Sequence, residues 1–222
     1  VSPEAQQDEE LKLLALTGLM NAQPEKALPV LRKLFATGSP KVKERALFVL
    51  SQRPAPEAGE LLAQVARDTS QPALQKKAIH FLGLCGDCES NARLLDRIYR
   101  ESTSAGVKRE VLHAYMIGRN SSRLIDLAKS ESDPAMQAEA IRMLGMVPAE
   151  VTRGVLAALY RESRSREVKN AALEALFLQQ SVSTLVELAR AETDQRQKKS
   201  IVEKLTLMQE PEEQEYLLEL LQ

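Results

Sequence analysis

The sequence predicts an all-α chain in which about seven antiparallel helix pairs stack into an α-solenoid. Three observations lead there: a composition that favours helix, an apolar pattern at helical spacing that recurs along the whole chain, and a start signal before each copy. Of the 222 residues 44% are apolar and 27% charged, which is globular composition, while aromatics are 4% and Trp is absent. A chain dominated by Leu and Ala, with so few rings, favours helix over strand.

The recurring unit is seen best at Asp133–Gly145, which opens on a capping residue and a proline, carries apolar residues at helical spacing and stops at a glycine. Its anchors are Ala15, Ala46, Ala78, Val111, Ala140, Ala172 and Ile201, separated by 31, 32, 33, 29, 32 and 29 residues. Four residues before the anchors stand Leu11, Val42, Leu74, Val107, Met136, Val168 and Gln197, the last being the one polar departure. One residue after come Leu16, Leu47, Ile79, Leu112, Ile141, Leu173 and Val202, and four after come Leu19, Leu50, Leu82, Tyr115, Leu144, Leu176 and Leu205. These offsets share one face of an α-helix.

Seven residues before the anchors stand Asp8, Ser39, Gln71, Ser104, Asp133, Ser165 and Asp194, and six of these seven can accept a hydrogen bond from first-turn amides as N-caps. At Gln71 a one-residue shift of the cap to Ser70 is the alternative. Pro40, Pro72 and Pro134 follow, where a missing N–H is harmless. Three residues before each anchor a long polar side chain recurs: Lys12, Lys43, Gln75, Lys108, Gln137, Lys169 and Lys198. It lies at the edge of the buried face, where its stem covers apolar neighbours. A second set of apolar helical segments fills the gaps. The helix pairs expected are 8–38, 39–69, 70–103, 104–132, 133–164, 165–193 and 194–222, forming one repeat domain over 1–222. No pair buries its apolar face alone, so the pairs must stack.

The unit D-P-x-apolar-(K/Q)-x-x-A-(I/L)-x-x-L-G resembles the HEAT repeat, in particular the short HEAT-like repeats of bacterial proteins. The resemblance covers nearly the whole chain, with Ser70–Cys85 and Asp133–Val147 as its best copies. It departs from the pattern where Lys or Gln replaces the unit's usual Arg, and at Gln197. Tetratricopeptide and ankyrin spacings fit worse.

A longer period lies beneath the short one. One position of the second helices reads Phe35, Ala66, Tyr99, Ala128, Tyr160, Ala189, alternating large with small. Dense interiors make this a packing pattern in which each ring fills space left by a neighbouring Ala, rather than a row of ligand-stacking rings.

The next position is basic in five consecutive pairs: Arg67, Arg100, Lys129, Arg161 and Arg190. Two readings stand side by side. Cations near helix C-termini are favoured by about 0.3–1 kcal/mol through the macrodipole. A series at repeat spacing along the second helices, which line the concave surface in HEAT-like solenoids, would also meet an acidic partner.

Other candidates are thinner. Cys85 and Cys88 are the only cysteines, in a Cys-x-x-Cys placed in an interhelical turn. A redox motif belongs at the start of a helix beside a strand, and a structural zinc site needs two further ligands. That leaves an ordinary loop pair, or a labile disulfide in an oxidising compartment. His80 and His113 fall two residues after their anchors and should face away from the core. With two histidines and no glycine-rich phosphate loop, nothing assembles a catalytic constellation, so no cofactor or metal is expected. Among HEAT-like enzymes, deoxyhypusine hydroxylases need repeated His-Glu pairs, and this chain has none. Alkylpurine glycosylases need a basic groove with Trp. Asn120-Ser121-Ser122 is a formal glycosylation sequon.

Thirty basic against 31 acidic residues give a net charge of −1, with none of the cationic excess of a nucleic-acid binder. No apolar run approaches the roughly 20 residues that span a bilayer. The expected function is a non-enzymatic scaffold binding a protein or peptide along the concave helical surface. The alternatives are a bilin-lyase-like or other catalytic HEAT-like protein, or a structural segment of a larger protein. Leu217, Leu218, Leu220 and Leu221 near the end of the sequence add self-association as an option. The chain starts at Val1 without Met, so a removed export signal leaves a cytoplasmic or periplasmic location open.

Overall fold

The structure, a computed structural model, describes residues 3–19, 23–52, 56–84 and 89–222. They form fourteen α-helices and no strand. The chain divides into two compact units, Val1–Asn120 and Ser121–Gln222. The first holds α1 (Pro3–Gly18), α2 (Pro24–Thr37), α3 (Pro40–Ser51), α4 (Pro56–Arg67), α5 (Pro72–Gly83), α6 (Glu89–Glu101) and α7 (Ala105–Ile117). The second holds α8 (Ser121–Ser130), α9 (Pro134–Leu144), α10 (Ala149–Glu162), α11 (Arg166–Leu178), α12 (Val182–Ala191), α13 (Gln195–Leu205) and α14 (Pro211–Glu219). Odd-numbered helices are the anchored set and even-numbered ones the second set.

Each unit is a solenoid segment. In unit 1, α1, α3, α5 and α7 pack in series, as do α2, α4 and α6. In unit 2 the second helices α8, α10, α12 and α14 run in series, and α9 packs on α11. The anchors are buried from the second repeat onward: Ala46, Ala78, Val111, Ala140, Ala172 and Ile201 are all fully inaccessible, while Val202 beside the last of them is half-buried. Gln197 is buried at the position where the pattern asks for an apolar residue.

The caps follow the sequence closely. The hydroxyls of Ser39, Ser104 and Ser165 accept from the N–H of Val42, Val107 and Val168, and Asp133 and Asp194 cap α9 and α13 in the same way. Gln71 occupies the N-cap of α5 itself, with no shift to Ser70. Its side chain instead bridges, accepting from Lys43 Nζ at 2.7 Å and donating to Asp68 at 2.9 Å. The Asp68 carboxyl is held below its usual pKa by hydrogen bonds from the Ser70 hydroxyl, Gln71 and the Ser70 amide.

The first repeat departs from expectation. Because α1 begins at Pro3, Asp8 is an interior helical residue and not a cap, and it pairs with Lys12 one turn on. Leu11 is 66% exposed, and Ala15 is also exposed. Only Leu16 of that face is buried, since α1 packs on α3 through it while Leu11 and Leu14 stay in solvent.

The repeat's closing glycine does more than stop a helix. Gly145 has φ −62°, so no left-handed turn demands it. A Cβ there would stand 2.9 Å from the Ala175 Cα of α11, and at Gly83 a Cβ would stand 2.6 Å from the Ala114 carbonyl of α7. At these glycines the backbones of consecutive first helices approach closely enough to leave no room for a Cβ.

Candidate partner-binding surface

The alternating aromatic and small residues of the second helices form, within each unit, the buried wall on which the candidate surface rests. Tyr99 and Tyr160 are buried, and Ala66, Ala128 and Ala189 are inaccessible. Phe35, in the same series, is half-buried. The long polar residue of the following first helix changes with its neighbour. Beside Ala66 and Ala128 it is glutamine: Gln75 Nε2 donates to the Ala66 carbonyl at 2.9 Å, and Gln137 Nε2 to the Ala128 carbonyl at 2.8 Å; Ala189 departs from this, with Lys198 at the same position. Beside a tyrosine it is lysine: Lys108 Nζ lies 4.9 Å from the Tyr99 ring centre, and Lys169 Nζ 4.7 Å from that of Tyr160. A small residue leaves the helix's terminal carbonyls open to an amide, whereas a ring covers them and offers its π-face to a cation.

In unit 2 the Tyr160 cluster is completed by Glu192. Its carboxylate accepts from the Tyr160 hydroxyl at 2.5 Å, from Lys169 at 3.2 Å, and from the backbone N–H groups of Thr193 and Asp194 at 2.9 Å. Burial alone would raise the Glu192 pKa; the hydrogen bonds from Tyr160, Asp194 and Lys169 outweigh it and bring it down to about 2. Burial and the Glu192 contact push the Tyr160 phenol well above its usual value.

The five basic positions lie outside this wall, each in the last turn of its helix and each exposed. In unit 1 these are Arg67 of α4 and Arg100 of α6, whose Nε donates to the Asp96 carbonyl at 3.2 Å. In unit 2 they are Lys129, Arg161 and Arg190. Arg161 reaches Glu187 at 3.6 Å. Arg190 grips both oxygens of Glu219 at 2.7 and 3.0 Å, with its guanidinium 5.7 Å from the Tyr216 ring centre. Every carboxylate in these pairs is more than half exposed.

His80 and His113 are exposed, as their spacing requires. Cys85 and Cys88 lie outside the described residues. No three His, Cys, Asp or Glu side chains converge as metal ligands among the described residues, and no described helix is long and apolar enough to cross a membrane. The sequence reading missed Tyr216, a buried ring on α14 beneath Arg190. It also missed a series of exposed apolar residues six positions after the anchors, Leu84 and Ile117 in unit 1 and Met146, Leu178 and Leu207 in unit 2. The signal for that series was present, since it is apolar in five consecutive repeats.

Residues 33–116 match the family model for HEAT repeats. No curated protein matches the chain.

Proposed function

We propose that this chain, a HEAT-like repeat protein, is a non-enzymatic scaffold that binds an acidic protein or peptide through its second helices. The observation that supports this most is the series of exposed cations at the C-terminal ends of those helices, Arg67 and Arg100 in unit 1 and Lys129, Arg161 and Arg190 in unit 2. Helix dipoles account for a cation at each place. They do not account for Arg in four of the five, where a planar fork suited to carboxylates stands at the surface. Exposed ion pairs such as Arg161–Glu187 are worth roughly 0–1 kcal/mol, so a partner's carboxylate displaces them at little cost.

The test compares the proteins retained from lysate of the source by the wild-type chain and by the Arg100→Glu/Arg161→Glu variant. The proposal expects an interaction that the variant loses while its circular dichroism stays unchanged. An identical set of retained proteins would remove the basic positions from the function.

A further inference from the structure

The other end of the second helices in unit 2 carries a different surface. The helix starts of α10, α12 and α14 frame an open groove of about 520 Å³. Its charged lining is Glu150, Glu210 and Glu212 against the single cation Arg153. The wall also contains Ser181, only 4% exposed, whose hydroxyl has no hydrogen-bond partner although it stands at the N-cap of α12. Outside the groove's lining, at the turns that lead into these helices, stand exposed apolar side chains: Met146 at 52%, Leu178 at 59% and Leu207 at 72%, with Val151 at 51% on the first turn of α10.

Helix dipoles explain acidic residues at helix starts. They do not explain an apolar residue held in solvent at the equivalent place of three successive repeats, nor an unspent hydroxyl in the wall between them. Unit 1 repeats the feature independently with Leu84 at 52% and Ile117 at 41%. Exposed apolar patches rimmed by polar groups mark interaction sites.

We infer that this edge of unit 2 binds an extended peptide segment that is basic on one side and apolar at every third residue. The charge follows from Glu150 and Glu212 beside a single arginine, the Glu210 side chain being engaged in the capping box of α14. The period follows from the spacing of the repeats. Packed helices lie roughly 8–10 Å apart, and a polyproline II segment returns to the same face about every 9 Å, after three residues. Apolar residues at i, i+3 and i+6 therefore reach Met146, Leu178 and Leu207 in turn, while Lys or Arg between them faces Glu150 and Glu212. Such a segment is preformed, so little chain entropy is lost on docking. The inference rests on the scaffold reading but concerns a surface separate from the basic positions.

The probe is a fluorescein-labelled nonamer, Leu-Pro-Lys repeated three times, titrated with the 222-residue chain by fluorescence anisotropy. Saturable binding is expected, weakened about tenfold or more by Leu178→Asp and by Glu150→Lys/Glu212→Lys, with Arg166→Ala at the start of α11 leaving it unchanged. All of these positions are exposed, and circular dichroism of each variant confirms the fold. A Leu-Pro-Glu nonamer that binds equally well would overturn the inference, as would binding indifferent to Leu178→Asp or no binding up to about 1 mM. If the nonamer fails while the Arg100→Glu/Arg161→Glu variant still loses a partner, the groove is wrong and the scaffold stands. If the nonamer binds as expected and that variant loses nothing, the groove stands and the basic positions fall.

Discussion

The hydroxyl of Tyr160 on α10 donates to the carboxylate of Glu192, at the C-cap of α12, at 2.5 Å. One buried ring thereby ties two consecutive second helices together, and the same carboxylate accepts the amide of Asp194, the residue that caps α13. Glu192 keeps its charge because Tyr160, the backbone and Lys169 all donate to it, which overcomes burial and lowers its pKa to about 2. A folded-state pKa below the unfolded value, about 4.5 for this side chain, stabilises the fold above that unfolded value, and the contribution is lost as pH falls toward 2. Stability should therefore drop by roughly 2–3 kcal/mol between pH 5 and pH 2 through this group. Glu192→Gln should lower stability at pH 7 and flatten that acid limb. The check is urea unfolding across the pH range; an unaltered limb in the variant would refute the assignment.

The pairing of glutamine with alanine and lysine with tyrosine makes a second prediction. Gln75 is buried and its amide reaches the Ala66 carbonyl at 2.9 Å. Gln75→Leu keeps the apolar bulk and removes the donor, leaving a buried carbonyl at the end of α4 unpaired. The expected loss is about 1–3 kcal/mol. At the other kind of site, Tyr160→Ala should cost about 3–5 kcal/mol, as for large aromatic truncations. The Tyr160→Ala/Lys169→Gln double variant should recover part of that loss, because it rebuilds the arrangement seen at Ala128 and Gln137. Chemical denaturation of the two single variants and the double closes this cycle.

The repeat register and the core were legible because burial on a helix imposes a period that needs no partner to be seen. The anchors and their neighbours at +1 and +4 are buried from the second repeat on, except for the half-buried Val202. The caps were legible for the same local reason. What failed depended on neighbours. Asp8 reads as a cap only if the helix starts there, and α1 starts five residues earlier. Leu11 fits the apolar face, but α1 packs through Leu16 instead. The basic positions were found correctly as helix-end residues. Their acidic companions Glu187 and Glu219 sit on the next second helix, at offsets that no single-repeat pattern contains. The exposed apolar residues six positions after the anchors lie off the face that a core requires, so the burial period gives them no weight.

Two turns offer a stability gain. Arg119 and Gln180 have φ of 56° and 53°, the left-handed region that favours glycine. Each follows a first helix and closes it by two bonds. The N–H of Arg119 reaches the Met116 carbonyl and that of Asn120 the Tyr115 carbonyl; Gln180 and Ser181 repeat this on Phe177 and Leu176. This is the Schellman arrangement, in which glycine at the left-handed position carries no side-chain penalty. Arg119→Gly and Gln180→Gly should each stabilise the chain by about 0.5–1 kcal/mol, the relief of strain exceeding glycine's extra unfolded-state entropy. Thermal unfolding should show a small rise in Tm for each, and an additive one for both because the two turns share no partner.

The closing glycines predict the opposite sign. At Gly83 an added Cβ would meet the Ala114 carbonyl oxygen at 2.6 Å and the Ala114 Cα at 2.7 Å, both backbone atoms that no rotamer change can move. Accommodating it requires α5 and α7 to separate, which opens the contacts between the first helices of two successive repeats. Overpacking of this kind costs about 1–3 kcal/mol, even though alanine is the better helix former by about 1 kcal/mol. Gly145→Ala should cost less than Gly83→Ala, since its nearest atom is the Ala175 Cα at 2.9 Å and the next is a side-chain Cβ at 3.1 Å. Gly18→Ala supplies the control, because nothing lies within 4 Å of a Cβ there. It should be neutral or slightly stabilising. Equal effects at Gly18 and Gly83 in urea melts would mean that the glycines serve the turn alone and that the helices do not depend on this contact.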